Sequence, residues 1–146
     1  MRARDLATPY PSLPAEAAAS EVALALAEEE VDVVLIERQG QLQGVVSDIG
    51  LLVRLLPSYV VEDPKLAQVM EEGAADLLWR RLEGQRAGDL LAKAGSEIPQ
   101  VEGDATLMEV AAAMAAARAP LVAVRERGRL VGGITSSALL TRLLRP

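Results

Sequence analysis

The sequence predicts an α+β protein built from two tandem copies of one β-α-β-β-α unit, with a helix inserted between them. Two observations carry that prediction. The phrase "GGITSSALLTRLL" at residues 132–144 nearly repeats "GVVSDIGLLVRLL" at residues 44–56, and the same offset of 88 aligns residues 19–56 with 107–144 without a gap. Glu21/Glu109, Val22/Val110, Gly40/Gly128, Gly44/Gly132, Leu51/Leu139 and Arg54/Arg142 are identical pairs in that alignment. In both copies the apolar pattern also changes from helical to extended spacing and back in the same order. Upstream the match is looser, with Asp5-Leu6 resembling Asp89-Leu90.

Each copy begins with a short extended piece, around Leu13 and around residues 98–101. Residues 15–30 and 105–117 follow with apolar side chains at helical spacing, Val22 and Leu26 in one, Val110 and Met114 in the other. "VDVVLIE" and "PLVAVRE" are β-branched-rich runs that predict buried strands. "RQGQ" and "ERGR" put a glycine where a tight turn needs a positive φ, so "LQGVVS" and "LVGGIT" are second arms of hairpins. "DIGLLVRLL" and "SALLTRLL" return to helical spacing. Between the copies, "EDPKLAQVMEEGAADLLWRRLEG" predicts one capped helix, with Asp63 as N-cap, Pro64 at the first position and Gly84 near the stop. Leu66, Val69, Met70, Leu77, Leu78 and Leu82 form an apolar stripe on it, expected to pack across the repeat boundary or to carry a partner surface anchored by Trp79. The chain thus divides into residues 1–57, 58–85 and 86–146.

Composition narrows the chemistry. Of 146 residues 51% are hydrophobic, yet Phe is absent and Trp79, Tyr10 and Tyr59 are the only aromatics, so the core must be aliphatic. Cysteine and histidine are both missing. That removes disulfides, thiolate nucleophiles, imidazole bases and Cys/His metal sites. A net charge of −6 disfavours nucleic-acid binding. The most apolar helix candidate is uncharged only between Glu109 and Arg118, too short to cross a bilayer, and no secretory signal is visible. A cytoplasmic protein without membrane contact is expected. Glu28-Glu29-Glu30 reads as a solvated helix end, and Arg125, Arg127 and Arg129 as a solvated hairpin rim.

Hairpin, then Gly-apolar-apolar-Ser/Thr, then an apolar helix, preceded by an Ala-rich helix and "PLVAV", resembles the cystathionine-β-synthase (CBS) domain. Two in tandem resemble the paired arrangement called a Bateman module. The resemblance covers nearly the whole chain apart from the inserted helix. It implies two repeats related by a pseudo-twofold axis, two clefts that take adenine-containing ligands (AMP, ADP, ATP or S-adenosylmethionine), and no catalytic centre or required cofactor. Ser47 and Thr135 fall on the family's hydroxyl position between last strand and last helix, where a helix N-terminus favours an anion. Ile98-Pro99 and Val33, Val34, Leu121, Val122 fall on the walls of the adenine pocket. Arg118, just before Pro120, is placed where a cation could touch a phosphate.

The family's ribose-binding Asp, three residues after the hydroxyl, is absent: those positions are Gly50 and Ala138. Asp48 and Ser136-Ser137 are close by, but each residue along a helix turns the side chain by about 100°. Loss of a charge-assisted acceptor costs about 1.5–3 kcal/mol. Two readings follow: a ligand-sensing module acting on a regulated protein partner, or a dimerising scaffold whose clefts have lost nucleotide. An enzyme has no support in the residues, and a homodimer is expected in either case. Because Asp32 and Asp48 belong to the first copy, the better ligand site is expected around Thr135 and Arg118.

Overall fold

In the computed structural model, which describes residues 1–70, 73–91 and 97–145, both copies fold as the same unit. The first runs β1 (Ser12–Pro14), α2 (Ala19–Glu28), β2 (Val33–Arg38), β3 (Gln41–Ser47) and α3 (Asp48–Leu55), after a one-turn helix α1 (Ala3–Leu6). The second runs β4 (Gln100–Glu102), α6 (Leu107–Ala117), β5 (Leu121–Glu126), β6 (Arg129–Thr135) and α7 (Ser136–Leu144). Between them lie α4 (Ser58–Glu62), a 3-10 turn (Pro64–Val69), α5 (Ala74–Arg80) and a second 3-10 turn (Ala87–Leu90).

Each copy makes a three-stranded sheet, β1-β2-β3 or β4-β5-β6, with the first strand parallel to the middle one and the last antiparallel. The hairpins match in detail. Gln39 and Gly40 have φ of 52° and 78°, and Arg127 and Gly128 repeat those values, so both turn residues are left-handed as the strand twist demands. The register slips at Ile36/Glu37 and again at Val124/Arg125. Strand alternation then sends Val34, Ile36 and Val46 into a core under α2, and Val122, Val124 and Ile134 into a second core under α6. Leu35 and Ala123 are also fully buried but belong to neither core, placing them on the opposite sheet face, which the two copies share.

The cores do not follow the sequence partition. Ala3 N donates to Ala105 O at 2.8 Å and Arg4 N to Gly103 O at 2.9 Å, so α1 of the first copy docks on the second core. Reciprocally, Ala87 N donates to Ala17 O at 2.7 Å and Gly88 N to Ala15 O at 2.9 Å, bringing Ala87 and Leu90 into the first core. Asp5 and Asp89 play one role in both: each carboxylate accepts the backbone N–H three residues earlier, from Arg2 and Arg86, at 2.8 Å. The turn closed by Ala17 N on Pro14 O, together with the bonds to Ala15 O and Ala17 O, keeps that stretch out of the helix, which is why α2 starts at Ala19 and not at residue 15.

Two other expectations are corrected. The insert is not one helix. Asp63 accepts Lys65 N at 3.3 Å and Pro64 starts a 3-10 turn that stops at Met70, and α5 starts afresh after Gly73, while residues 71 and 72 lie outside the described residues. Its stripe stays exposed, Val69 at 79% and Leu77 at 59%, and only Leu82 enters the first core. Arg125 is not a solvated rim residue but is buried, with Nη1 donating to Gly40 O at 3.2 Å and Nη2 to Gly128 O at 2.7 Å. It ties the two hairpin tips together.

Candidate functional site

A cleft of about 570 Å³ lies between the copies. Small-molecule pockets run from about 300 to 1,000 Å³. From the first copy it takes Val33, Val45, Ser47, Gly50, Val53 and Arg54, and from the second Ile98, Ala119, Pro120, Leu121 and Arg118, with Leu90 and Glu97 at its edge. Ser47 is held at the rim because its Oγ accepts Gly50 N at 2.9 Å, capping α3. A serine oxygen that accepts one bond keeps its own proton free for a ligand. The strand entries are held alike in both copies: Asp48 N donates to Asp32 O and Ser136 N to Pro120 O, each at 2.9 Å.

Arg118 follows α6 in the left-handed conformation, φ 52°, with its exposed side chain at the cleft. Glu30, two residues past α2, has φ 51°, so the fold imposes this geometry on both copies. Arg54 also lines the cleft, with Nη2 donating to Asp89 O at 2.6 Å, which fixes the guanidinium on the segment that carries Leu90. Two arginines against one carboxylate, Glu97, leave the cleft positive although the chain carries −6. Apolar walls with a positive end suit a flat ring carrying an anion.

Ser47, Val33, Ile98, Arg118, Pro120 and Leu121 therefore come together. Others do not. Val34 and Val122 point into the two cores, one residue out of phase with Val33 and Leu121, and are corrected from wall to core. The carbonyl of Pro99 is taken by Ala123 N at 2.9 Å. Asp48 is exposed in the first turn of α3, its Oδ1 accepting Ile49 N. Ser136 and Ser137 do not line this cleft but begin α7, beside Thr135, whose Oγ1 accepts Ala138 N at 3.1 Å. The expected grouping of Thr135 with Arg118 is corrected too. The cleft joins the helix start of the first copy to the strand entry of the second, so Arg118 and Pro120 stand with Ser47. Arg54 was missed, although its identity with Arg142 in an otherwise apolar helix was a usable signal.

Among known proteins, the model of the CBS domain matches residues 87–145, the second copy. A solved CBS domain-containing protein of unknown function from Kribbella flavida is 34% identical over 99% of both chains, with a TM-score of 0.87. This chain is a CBS-domain protein. The first copy, outside the matched span, has the topology of the second, so the chain is a CBS pair. The CBS domain of a membrane protein from Sphaerobacter thermophilus shares the fold at 18% identity and a TM-score of 0.76, over 97% of this chain and 86% of that one. So does CBSX2, a CBS-pair protein of Arabidopsis thaliana solved in complex with AMP, at 21% identity and a TM-score of 0.64, over 99% and 96%. Comparison with curated sequences gives no match. Proteins with CBS domains are generally regulatory rather than catalytic. Among the described residues of this CBS pair, no helix is long and apolar enough to cross a membrane.

Proposed function

We propose that this CBS pair is a regulatory sensor, not an enzyme, that takes an adenine nucleotide or a related anion into the Ser47 cleft and acts on a protein partner. The observation that carries the reading is the convergence of Ser47, Arg54 and Arg118 on one apolar-walled cavity of nucleotide size. The AMP complex of CBSX2, which shares the fold, supports that ligand class. The ring packs between Val33, Ile98 and Leu121, Ser47 donates to an oxygen of the ligand, and Arg118 and Arg54 offset its charge. No resident cofactor is needed, and the pair works in the cytoplasm as a homodimer, covering the exposed apolar residues of α3 and α7 such as Leu52 and Leu140.

Calorimetric titration with AMP, ADP, ATP and S-adenosylmethionine tests it. Saturable binding that weakens at least tenfold in Arg118→Glu supports the reading, and no heat with any of the four at millimolar ligand overturns it. The scaffold reading is favoured by one observation, glycine at position 50. A Cβ there would stand 3.0 Å from Ser47 Oγ, so an acid fits only if the serine gives slightly. Gly50→Asp is expected to tighten AMP binding about tenfold by restoring an acceptor for the ribose hydroxyls. A scaffold with inert clefts would gain nothing.

A further inference from the structure

The place around Thr135 that the twofold relation matches to the Ser47 cleft carries different chemistry. Under the twofold relation, the places of Ile98, Arg118 and Pro120 are taken there by Tyr10, Glu30 and Asp32. The place of Val45 is taken by Gly133. A Cβ at Gly133 would lie 3.2 Å from both Cδ2 and Cε2 of Tyr10 and 3.0 Å from Leu121 Cδ1, so the ring sits over the glycine and against the strand entry. Its approach is pinned from behind. Thr8 N donates to Gly133 O and Gly133 N to Thr8 O, both at 2.9 Å, and a side chain at Gly132 would collide with the Thr8 carbonyl. The volume that Val45 and Ile98 share in one cleft is redistributed to nothing and a large ring in the other. Burial raises the Tyr10 phenol above its usual range, and the Asp32 carboxylate adds to the effect.

We propose that Tyr10 is a built-in occupant of the Thr135 cleft, closed further to anions by Asp32 and Glu30, so that one chain takes up one nucleotide anion and takes it at Ser47. The inference rests on the sensing reading for its ligand but not for the closed cleft. A ring on the glycine-lined strand takes the space that a base would need, and two carboxylates stand where the open cleft has an arginine and a proline. The pair is then an unequal reader, with one cleft for the signal and one fixed by the chain itself.

The test counts sites. Equilibrium dialysis with AMP is expected to give one equivalent per wild-type chain, lost in Arg118→Glu and kept in Thr135→Val. The triple variant Tyr10→Ile, Glu30→Arg, Asp32→Pro, which copies the open cleft, is expected to take up two. Two equivalents in the wild type, or one that disappears in Thr135→Val and survives in Arg118→Glu, overturns the proposal. A second measurement needs no nucleotide: Tyr10→Ala is expected to lower Tm by at least about 2 °C because a packed ring is lost, with Tyr10→Ile in between. An unchanged Tm in Tyr10→Ala shows the ring free in solvent and overturns the proposal. If the wild type takes up no AMP while the Tm loss holds, the nucleotide reading fails and the closed cleft stands.

Discussion

Arg125 and its partner carbonyls show how much one residue can hold. Its guanidinium is buried and spans Gly40 O and Gly128 O, so one side chain joins the two hairpin tips. Arg125→Met leaves both carbonyls short of a donor and is expected to cost about 2–3 kcal/mol in urea unfolding, with Arg125→Lys recovering less than half because one ammonium cannot fork to both. The sequence hid this residue: alternating with Arg127 and Arg129 around a turn, it looks like its solvated neighbours, and only the meeting of the two tips buries it. Tyr10 gives a second prediction at this scale. Its phenol titrates above the usual tyrosine value in the folded chain, first through burial and then through Asp32, with the Thr8 hydroxyl acting the other way. The folded state therefore holds the proton more tightly than the unfolded state, so the contribution is intact below the unfolded value and is lost as pH climbs through the folded one. Tm measured from pH 8 to 11 is expected to fall less steeply in Tyr10→Phe than in the wild type.

At the level of elements, the caps separate folding from binding. Ser47 caps α3 and Thr135 caps α7 through the same bond to the third helical N–H. Ser47→Ala and Thr135→Ala are each expected to cost about 1 kcal/mol in denaturant unfolding. Only the first is expected to weaken ligand binding as well. Helices, strands and turns are legible because the copies corroborate each other: each residue pattern occurs twice, and the two copies fold in the same order. The insert has no second copy to correct it. Its apolar spacing suggested one helix, but Pro64 and Gly73 divide the segment, and the stripe has no sheet to lie on. Val34 and Val122 failed for another reason. Cleft and core lie on opposite faces of the same strand, and a run of consecutive apolar residues cannot say which face starts where.

Across the whole molecule, the informative fact is the exchange of starting segments. Residues 3–7 complete the second core and residues 82–90 the first, so neither repeat owns all of its interior. Residues 86–146 expressed alone are expected to lack a cooperative thermal transition by circular dichroism, and to gain one when residues 1–14 are supplied as a peptide. The same crossing decides the site: Thr135 and Arg118 lie in one copy, which suggests a shared cleft, but the packing sets Ser47 against the strand entry of the opposite copy. That exchange also orders events at the ribosome. Residues 3–8 have their berth on Gly103, Ala105 and Gly133, which leave the ribosome about a hundred residues later or more. That segment must stay undocked while about a hundred further residues emerge, and its arrival seals the pair.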